Sequence, residues 1–305
     1  MLNVKLLIDK LKNLANRRRF EKALRQIVAS APIRTGLGKF TVLSMVHHRD
    51  VDSYLLAIKS FCLFFSPQHI IVVTDPTITD EDHQKITAHI NGIQFVSAEN
   101  YRVAGIPQGG CWERLIAIAE YCQDTYVVQL DADTVTLSEI PEVKKAVAES
   151  TSFVLATEDG QDFISCAEAT AWAKKYVESG EHIQILAEAN MDCLADYQKL
   201  RYVRGCAGFS GFSAKCFNLD KLKIFSNSMA KALGDKWSAW GSEQFASNFM
   251  VSNSPQAIVL PHPKYCHPGR EQPETVFLHF IGYVRFKTNR YARAARATCA
   301  ALAEK

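Results

Sequence analysis

The sequence predicts an α/β protein built on a mostly parallel, Rossmann-like sheet flanked by helices, with helical appendages at both ends. Three observations carry this. Short apolar runs of strand length alternate with segments of helical spacing, a strand, a helix and a second strand follow one another within about 35 residues, and amphipathic stretches lie outside the first and last strands. Of the 305 residues, 48% are hydrophobic, enough for a sizeable core and too many for a disordered chain. The expected organisation is a basic helical extension over residues 1–30, a body over 38–288 and a C-terminal helix over 289–305.

Taken in order, residues 1–28 read as helix because Val4, Leu7, Leu11 and Leu14 recur at three- and four-residue spacing, with basic residues largely between them. Pro32, Gly36 and Gly38 mark a linker. Phe40 to Val46 is a strand that stops at His47-His48-Arg49-Asp50, where His48 reads as merely exposed. Tyr54 to Phe65 is helical, and His69 to Asp75 is a buried strand ended by Pro76. A helix around 80–90 precedes a strand at Ile93 to Ser97. Residues 111–122 form a helix with Leu115, Ile118, Ala119 and Cys122 on one face, and Tyr126 to Leu130 is the next strand. Beyond it the pattern is less regular, with strands expected at 152–157, 207–213 and 256–260, helices near 167–178 and 242–250, and an Ala- and Arg-rich helix from about Asn289.

Charge is unevenly placed. The net charge is +3, yet the first 25 residues hold Lys5, Lys10, Lys12, Arg17, Arg18, Arg19, Lys22 and Arg25 against Asp9 and Glu21, which leaves the remainder slightly acidic. This argues against nucleic acid as a partner and for a local contact with something anionic, either a membrane surface met by residues 1–28 or the domain's own surface or a partner protein. Nine cysteines are scattered singly, at 62, 111, 122, 166, 193, 206, 216, 266 and 299, with no CxxC pair, so a reducing compartment is expected rather than a disulfide framework. Cys266 and His267 are adjacent and poorly placed to chelate one zinc ion, so His262 to Pro268 reads as a proline-rich loop. No apolar run reaches the length of a membrane span and the N-terminus lacks signal-peptide character. The expected location is cytoplasmic, free or peripheral at the inner face of a membrane.

The chemistry concentrates at Asp131-Ala132-Asp133. Two carboxylates one residue apart, delivered by an apolar strand to the carboxyl edge of the sheet, offer hard oxygen ligands suited to Mn2+ or Mg2+ with positions left open for phosphate oxygens. The competing reading is a solvated turn after a strand.

Arg114-Leu-Ile, a helix, and then Tyr126-Val-Val-Gln-Leu-Asp-Ala-Asp-Thr-Val-Thr-Leu-Ser-Glu-Ile-Pro-Glu-Val143 resemble the central block of the glycogenin-like and bacterial lipopolysaccharide galactosyl- and glucosyltransferases. His279-Phe-Ile-Gly282-Tyr-Val-Arg285 is similar to that family's His-Phe-x-Gly-x-x-Lys block, and Glu243-Gln244-Phe-Ala-Ser-Asn248 to its Asp-Gln-x-x-x-Asn block. The chain departs from the family pattern at Arg285, where Lys is usual, at Phe286-Lys287 for Pro-Trp, at Glu243 for Asp, and at Cys206-Ala-Gly208 for Asn-Ala-Gly. The resemblance implies a GT-A fold and a metal-dependent hexosyltransferase. Its donor would be a nucleotide-sugar, with UDP the expected carrier, and its acceptor a glycan or lipid-linked glycan, in polysaccharide biosynthesis.

Under that resemblance Asp131, Asp133 and His279 are the metal ligands, Arg285 and Gly282 meet the diphosphate, and Gln244 lies beside the reacting sugar. Glu243 would be the general base if the reaction inverts; retention is the expected outcome. Ser242 reads as the N-cap that puts Glu243 and Gln244 in a helix's first turn. Arg114 is a donor-contacting arginine, Asp75 a partner for base or ribose, and Val46 and His47 sources of backbone contact with the base. Each has a plainer alternative: His279 as a core histidine, Glu243 as a complement to the helix dipole, Arg114 as a surface residue, Asp75 as a turn residue. Two other functions remain open, a haloacid-dehalogenase-like phosphatase with Asp131 as nucleophile, and a nucleotide-sugar-binding protein without catalysis.

Overall fold

The computed structural model describes residues 2–177, 182–282 and 284–304. Helix α1 (Leu2–Val28) is followed by β1 (Gly38–Val46), α2 (Val51–Cys62), β2 (Pro67–Thr74), α3 (Asp80–His89) and β3 (Ile93–Ser97). Next come α4 (Trp112–Tyr121), β4 (Tyr126–Leu130), β5 (Thr134–Thr136), α5 (Pro141–Ala148) and β6 (Ser152–Leu155). The chain continues through α6 (Cys166–Lys174), α7 (Ile183–Ala189), β7 (Cys206–Phe212), α8 (Leu219–Leu233) and α9 (Ser242–Ser252). It ends with β8 (Ala257–Leu260), β9 (Tyr265–Cys266), β10 (Phe277–His279) and α10 (Arg290–Ala303).

The main sheet has the order β8-β6-β7-β4-β1-β2-β3. Strands β4, β1, β2 and β3 are mutually parallel, β8 is parallel to β6, and β7 alone runs antiparallel to both of its neighbours. The α/β class and the mostly parallel sheet therefore follow the sequence prediction. Because side chains alternate along a strand, β1 sends Phe40, Val42 and Val46 to one face and Leu43 and Met45 to the other, and β2 divides Ile70 and Val72 from Ile71 and Val73 in the same way. One face buries α2 and parts of α1 and α10 through Leu55, Phe20, Ile27 and Tyr291; the other buries α4, α8 and α9 through Leu115, Phe225 and Phe245.

The terminal helices pack on each other and on the segment after β10. The Phe20 and Tyr291 rings stack at 3.7 Å, Tyr291 stacks on Phe280 at 3.9 Å, and Asn16 Nδ2 donates to the Phe286 carbonyl at 3.0 Å. The end of α1 is tied down by Lys59, a fully buried ammonium that donates to Ser30 Oγ at 2.7 Å and the Ala31 carbonyl at 2.9 Å. Such bonding is what makes a buried lysine tolerable.

Helix α1 matches the segment read as helix, and three details refine or add to the sequence reading. In α1 the packing stripe is Asn16, Phe20, Ala23, Leu24 and Ile27, whereas Leu7 and Leu11 are each 58% exposed and Leu14 is exposed too. The helix carries two apolar faces pointing in different directions, and only the C-terminal one meets the body; the Val4 side chain lies outside the described residues. The helix expected at 167–178 stops at Lys174, and residue 178 is not described. The third is α8, a helix the sequence reading does not name, although Leu222, Phe225, Ser226 and Met229 have helical spacing and Asn218 caps it by accepting from Lys221 N at 2.9 Å.

Candidate functional site

Strand β4 ends at Leu130, and the next four residues turn sharply. Asp131 N donates to the Gly208 carbonyl of β7 at 2.9 Å, while Thr134 Oγ1 returns to the Asp131 carbonyl at 2.8 Å. The turn frees both carboxylates from the sheet and starts β5, which pairs antiparallel with β10 in a small separate sheet, His279 opposite Thr134. Phe280 N donates to the Asp133 carbonyl at 2.8 Å. A residue 146 positions downstream is thereby placed beside the Asp-x-Asp turn: His279 Nε2 lies 2.9 Å from Asp133 Oδ1 and 4.0 Å from Asp131 Oδ2.

Ligand atoms of Asp131, Asp133 and His279 all lie within 4.8 Å of one another, the one group of its kind among the described residues that could hold a metal ion. The donor set is two carboxylates and an imidazole, which suits Mn2+ or Mg2+. A cradle supports the imidazole: a Cβ added at Gly208 would sit 2.1 Å from His279 Cε1, so only glycine at that position of β7 leaves room for the ring. The residues present fit a divalent cation.

Two arginines complete the charge pattern. Arg114, in the first turn of α4 and almost wholly buried, donates through Nη1 to Asp131 and through Nη2 to both Glu243 oxygens at 3.2 Å. Arg285 donates to Asp133 and has Asp50 Oδ1 at 3.7 Å. Burial alone would raise Asp133, but His279 and Arg285 bring it down to about 2. Burial wins at Asp131, which is raised against the pull of Arg114. Burial also lifts Glu243 to about 7, Arg114 opposing. At His279 burial works against the charged ring, yet Cys206 and Asp133 hold it well above the usual imidazole range.

These groups line a cavity of about 460 Å³ at the carboxyl end of the parallel strands, where open α/β sheets bind ligands. Ala132, Gln244, Gly282 and Arg285 line it, as do Arg114, Glu243, Asp131, Asp133 and His279. Gln244 Oε1 accepts from Ala207 N at 3.4 Å. Gly282 has open space around it, since an added Cβ would meet no protein atom within 4 Å, and its neighbour Tyr283 in the His-Phe-x-Gly block lies outside the described residues. His47 lines the cavity and stands 3.4 Å from Asp75 Oδ2. Asp75 and Val46 stay outside the lining: the Val46 carbonyl accepts from Asp75 N at 3.1 Å, and the Asp75 carboxylate caps Thr77 N at 2.8 Å. His48, read as merely exposed, is exposed but bonded through Nδ1 to Asp82 at 2.6 Å.

One local expectation fails. Ser242 does not cap α9; Gly241, at φ 101, occupies the N-cap, and the Ser242 hydroxyl accepts from Trp112 Nε1 at 2.9 Å. Glu243 and Gln244 still fall in the helix's first turn because the cap lies only one residue away from the expected position. Asp50, Trp240 and His182, all on the cavity wall, have no role in the sequence prediction. For Trp240 the sequence offers only its place ahead of Gly241 and Glu243-Gln244; its 78% exposure is apparent from the structure alone.

The sequence matches no family model and no curated protein. The structure is similar to solved glycosyltransferases at low identity. They include galactosyltransferase LgtC in complex with donor and acceptor sugar analogs (11% identity, 84% of this chain and 95% of that one, TM-score 0.45). Core-mannan synthase A from Aspergillus fumigatus in its Mn/GDP form (11%, 86% and 86%, 0.45) and apo GlyE from Streptococcus pneumoniae TIGR4 (12%, 87% and 62%, 0.48) share the same likeness.

Proposed function

We propose that this chain is a metal-dependent glycosyltransferase of the GT-A type that moves a hexose from a nucleoside diphosphate, UDP being the expected carrier, to a glycan hydroxyl with retention of configuration. The observation that carries the reading is the convergence of Asp131, Asp133 and His279 with Arg114 and Arg285 on one cavity at the carboxyl edge of the sheet. Asp131, Asp133 and His279 would hold Mn2+ or Mg2+, and when bound the cation supplies Lewis-acid stabilisation of the departing diphosphate. Arg285, hinged beside Asp133, would add positive charge to the same phosphate oxygens, and Arg114 would hold Asp131 in place through its second anchor at Glu243. Gln244 would flank the sugar, its amide oxygen stabilising the positive charge that develops at the anomeric carbon. Glu243 is fully committed to Arg114, which favours a supporting role over that of general base.

The phosphatase alternative requires further acidic groups beside Asp131 to hold its metal. Among the described residues the group around Asp131 that could hold a metal adds only one further acid, Asp133, with His279, so sugar transfer is the better fit. NMR assignment of the product anomer tests the reading: an α-linked product from an α-linked donor is expected, and a β-linked product would reassign catalysis to Glu243.

We also propose a contact between the outward face of α1 and an anionic bilayer. Exposed Leu7, Leu11 and Leu14 run along it, with Lys10, Lys12, Arg17, Arg18 and Arg19 exposed around them. Apolar insertion and charge attraction together suit a membrane surface. Because Phe20, Leu24 and Ile27 belong to the core, substitution of the three leucines by Gln is a cleaner test than deletion of the helix. Loss of binding to phosphatidylserine vesicles is expected, and absence of vesicle binding by the unaltered protein would retire the contact.

A further inference from the structure

We propose that Cys206 is a positioning residue for the metal site: its sulfur holds the far nitrogen of His279, fixing the imidazole with Nε2 directed at the cation position. The inference rests on the metal-dependent reading above. His279 has two ring nitrogens with different neighbours. Nε2 is 2.9 Å from Asp133 Oδ1 and 4.0 Å from Asp131 Oδ2, while Nδ1 is 3.2 Å from Cys206 Sγ. Cys206 is not one of the group that could hold a metal ion. An imidazole that coordinates a cation through Nε2 must carry its proton on Nδ1, and that N–H needs an acceptor. Cys206 Sγ is the acceptor at hand.

The seat is a property of β7. Residues 206 and 208 lie two apart on one strand, where its pairing with β6 shifts register between Cys206 and Ser210, and both approach the His279 ring. Gly208 provides the flat gap beneath the ring, with an added Cβ only 2.5 Å from Nδ1 and 2.6 Å from Nε2, and Cys206 provides the polar stop at the ring's edge. Asp131 N donates to the Gly208 carbonyl, so the same strand segment fixes one carboxylate ligand and the histidine ligand together. The thiol is half-buried on the cavity wall, where it packs against the edge of one core cluster and joins no disulfide.

The test is Mn2+ affinity in the presence of UDP, read from the EPR signal of free Mn2+, for the unaltered protein and for Cys206→Ala and Cys206→Ser. Outer partners of metal-bound histidines typically contribute about tenfold to a hundredfold in affinity. Cys206→Ala is expected to lose about that much, and Cys206→Ser, whose hydroxyl can accept the same N–H, to recover most of it. Affinity unchanged in Cys206→Ala, or equal losses in both variants, would overturn the proposal. A second measurement separates the two readings: with diamagnetic Mg2+ and UDP bound, long-range 1H–15N correlation should show the His279 ring proton on Nδ1, exchanging with solvent more slowly in the unaltered protein than in Cys206→Ala; equal exchange would overturn the proposal, whereas a proton on Nε2 would strike at the metal-dependent reading. Failure of the unaltered protein to bind Mn2+ would instead strike at the metal-dependent reading itself.

Discussion

Two clefts open at opposite ends of the same sheet, and the larger one carries less chemistry. At the amino end, about 840 Å³ is lined by Leu37, Lys39, Thr41, Gln68, His69 and Tyr121 among others, where β1, β2 and β4 begin. At the carboxyl end, about 460 Å³ is lined, among others, by three aspartates, a glutamate, two arginines and a histidine linked by ion pairs and hydrogen bonds. Parallel strands send their following loops to the carboxyl end, so side chains from distant parts of the sequence converge there and not at the other end. Charge placed against charge, rather than volume, distinguishes a site from a crevice.

The largest effect expected from this contrast is at the aspartates. Asp131→Asn and Asp133→Asn should each lower turnover by about a hundredfold or more with the fold retained, since each removes a hard anionic ligand. Circular dichroism alongside a transfer assay checks it, and full activity of a folded variant would break the contrast. Next in size, Gln244→Ala should lower kcat by about a hundredfold and change the donor KM little, because it acts on charge that develops only in the transition state. A rise in KM at constant kcat would make Gln244 a ground-state binding residue.

A smaller, pH-dependent effect is expected at Glu243. With its carboxyl pushed up to about 7 by burial, against Arg114, the bridge to Arg114 is fully charged only above that value. Nucleotide affinity should fall a few-fold as pH drops through about 7, and Glu243→Gln should flatten the profile. The sign for stability is opposite. A carboxyl raised from the ordinary 4.5 to about 7 contributes stability that is fully present below 4.5 and lost as pH rises through about 7. The smallest effect is at the amino end, where Lys39→Ala and Gln68→Ala should leave nucleotide binding and turnover unchanged; a loss in either would give that cleft a role.

How far the sequence speaks for the structure depends on the distance over which each feature is encoded. The strand Tyr126–Leu130 and the helix Ser242–Ser252 are legible because their apolar patterns and flanking polar residues are local. The meeting of Asp133 with His279 is accessible only through family resemblance, since it depends on β5 pairing with β10 far along the chain. The joint grip of Arg114 on Asp131 and Glu243, and the contact of Cys206 with His279, leave no signature in spacing at all. Helix α8 does have a local signature, and the exposed leucines of α1 show the converse: helical spacing predicts a helix but not which face is buried.

The central claim is that the carboxyl-end cavity binds a nucleoside diphosphate through a divalent cation held by Asp131, Asp133 and His279. Calorimetric titration of UDP into the protein with and without Mn2+, repeated for His279→Ala, tests it most directly. Binding is expected to be markedly tighter with Mn2+ in the unaltered protein, and that gain to shrink in the variant. UDP affinity indifferent to Mn2+ in the unaltered protein, or an undiminished gain in His279→Ala, would contradict the claim.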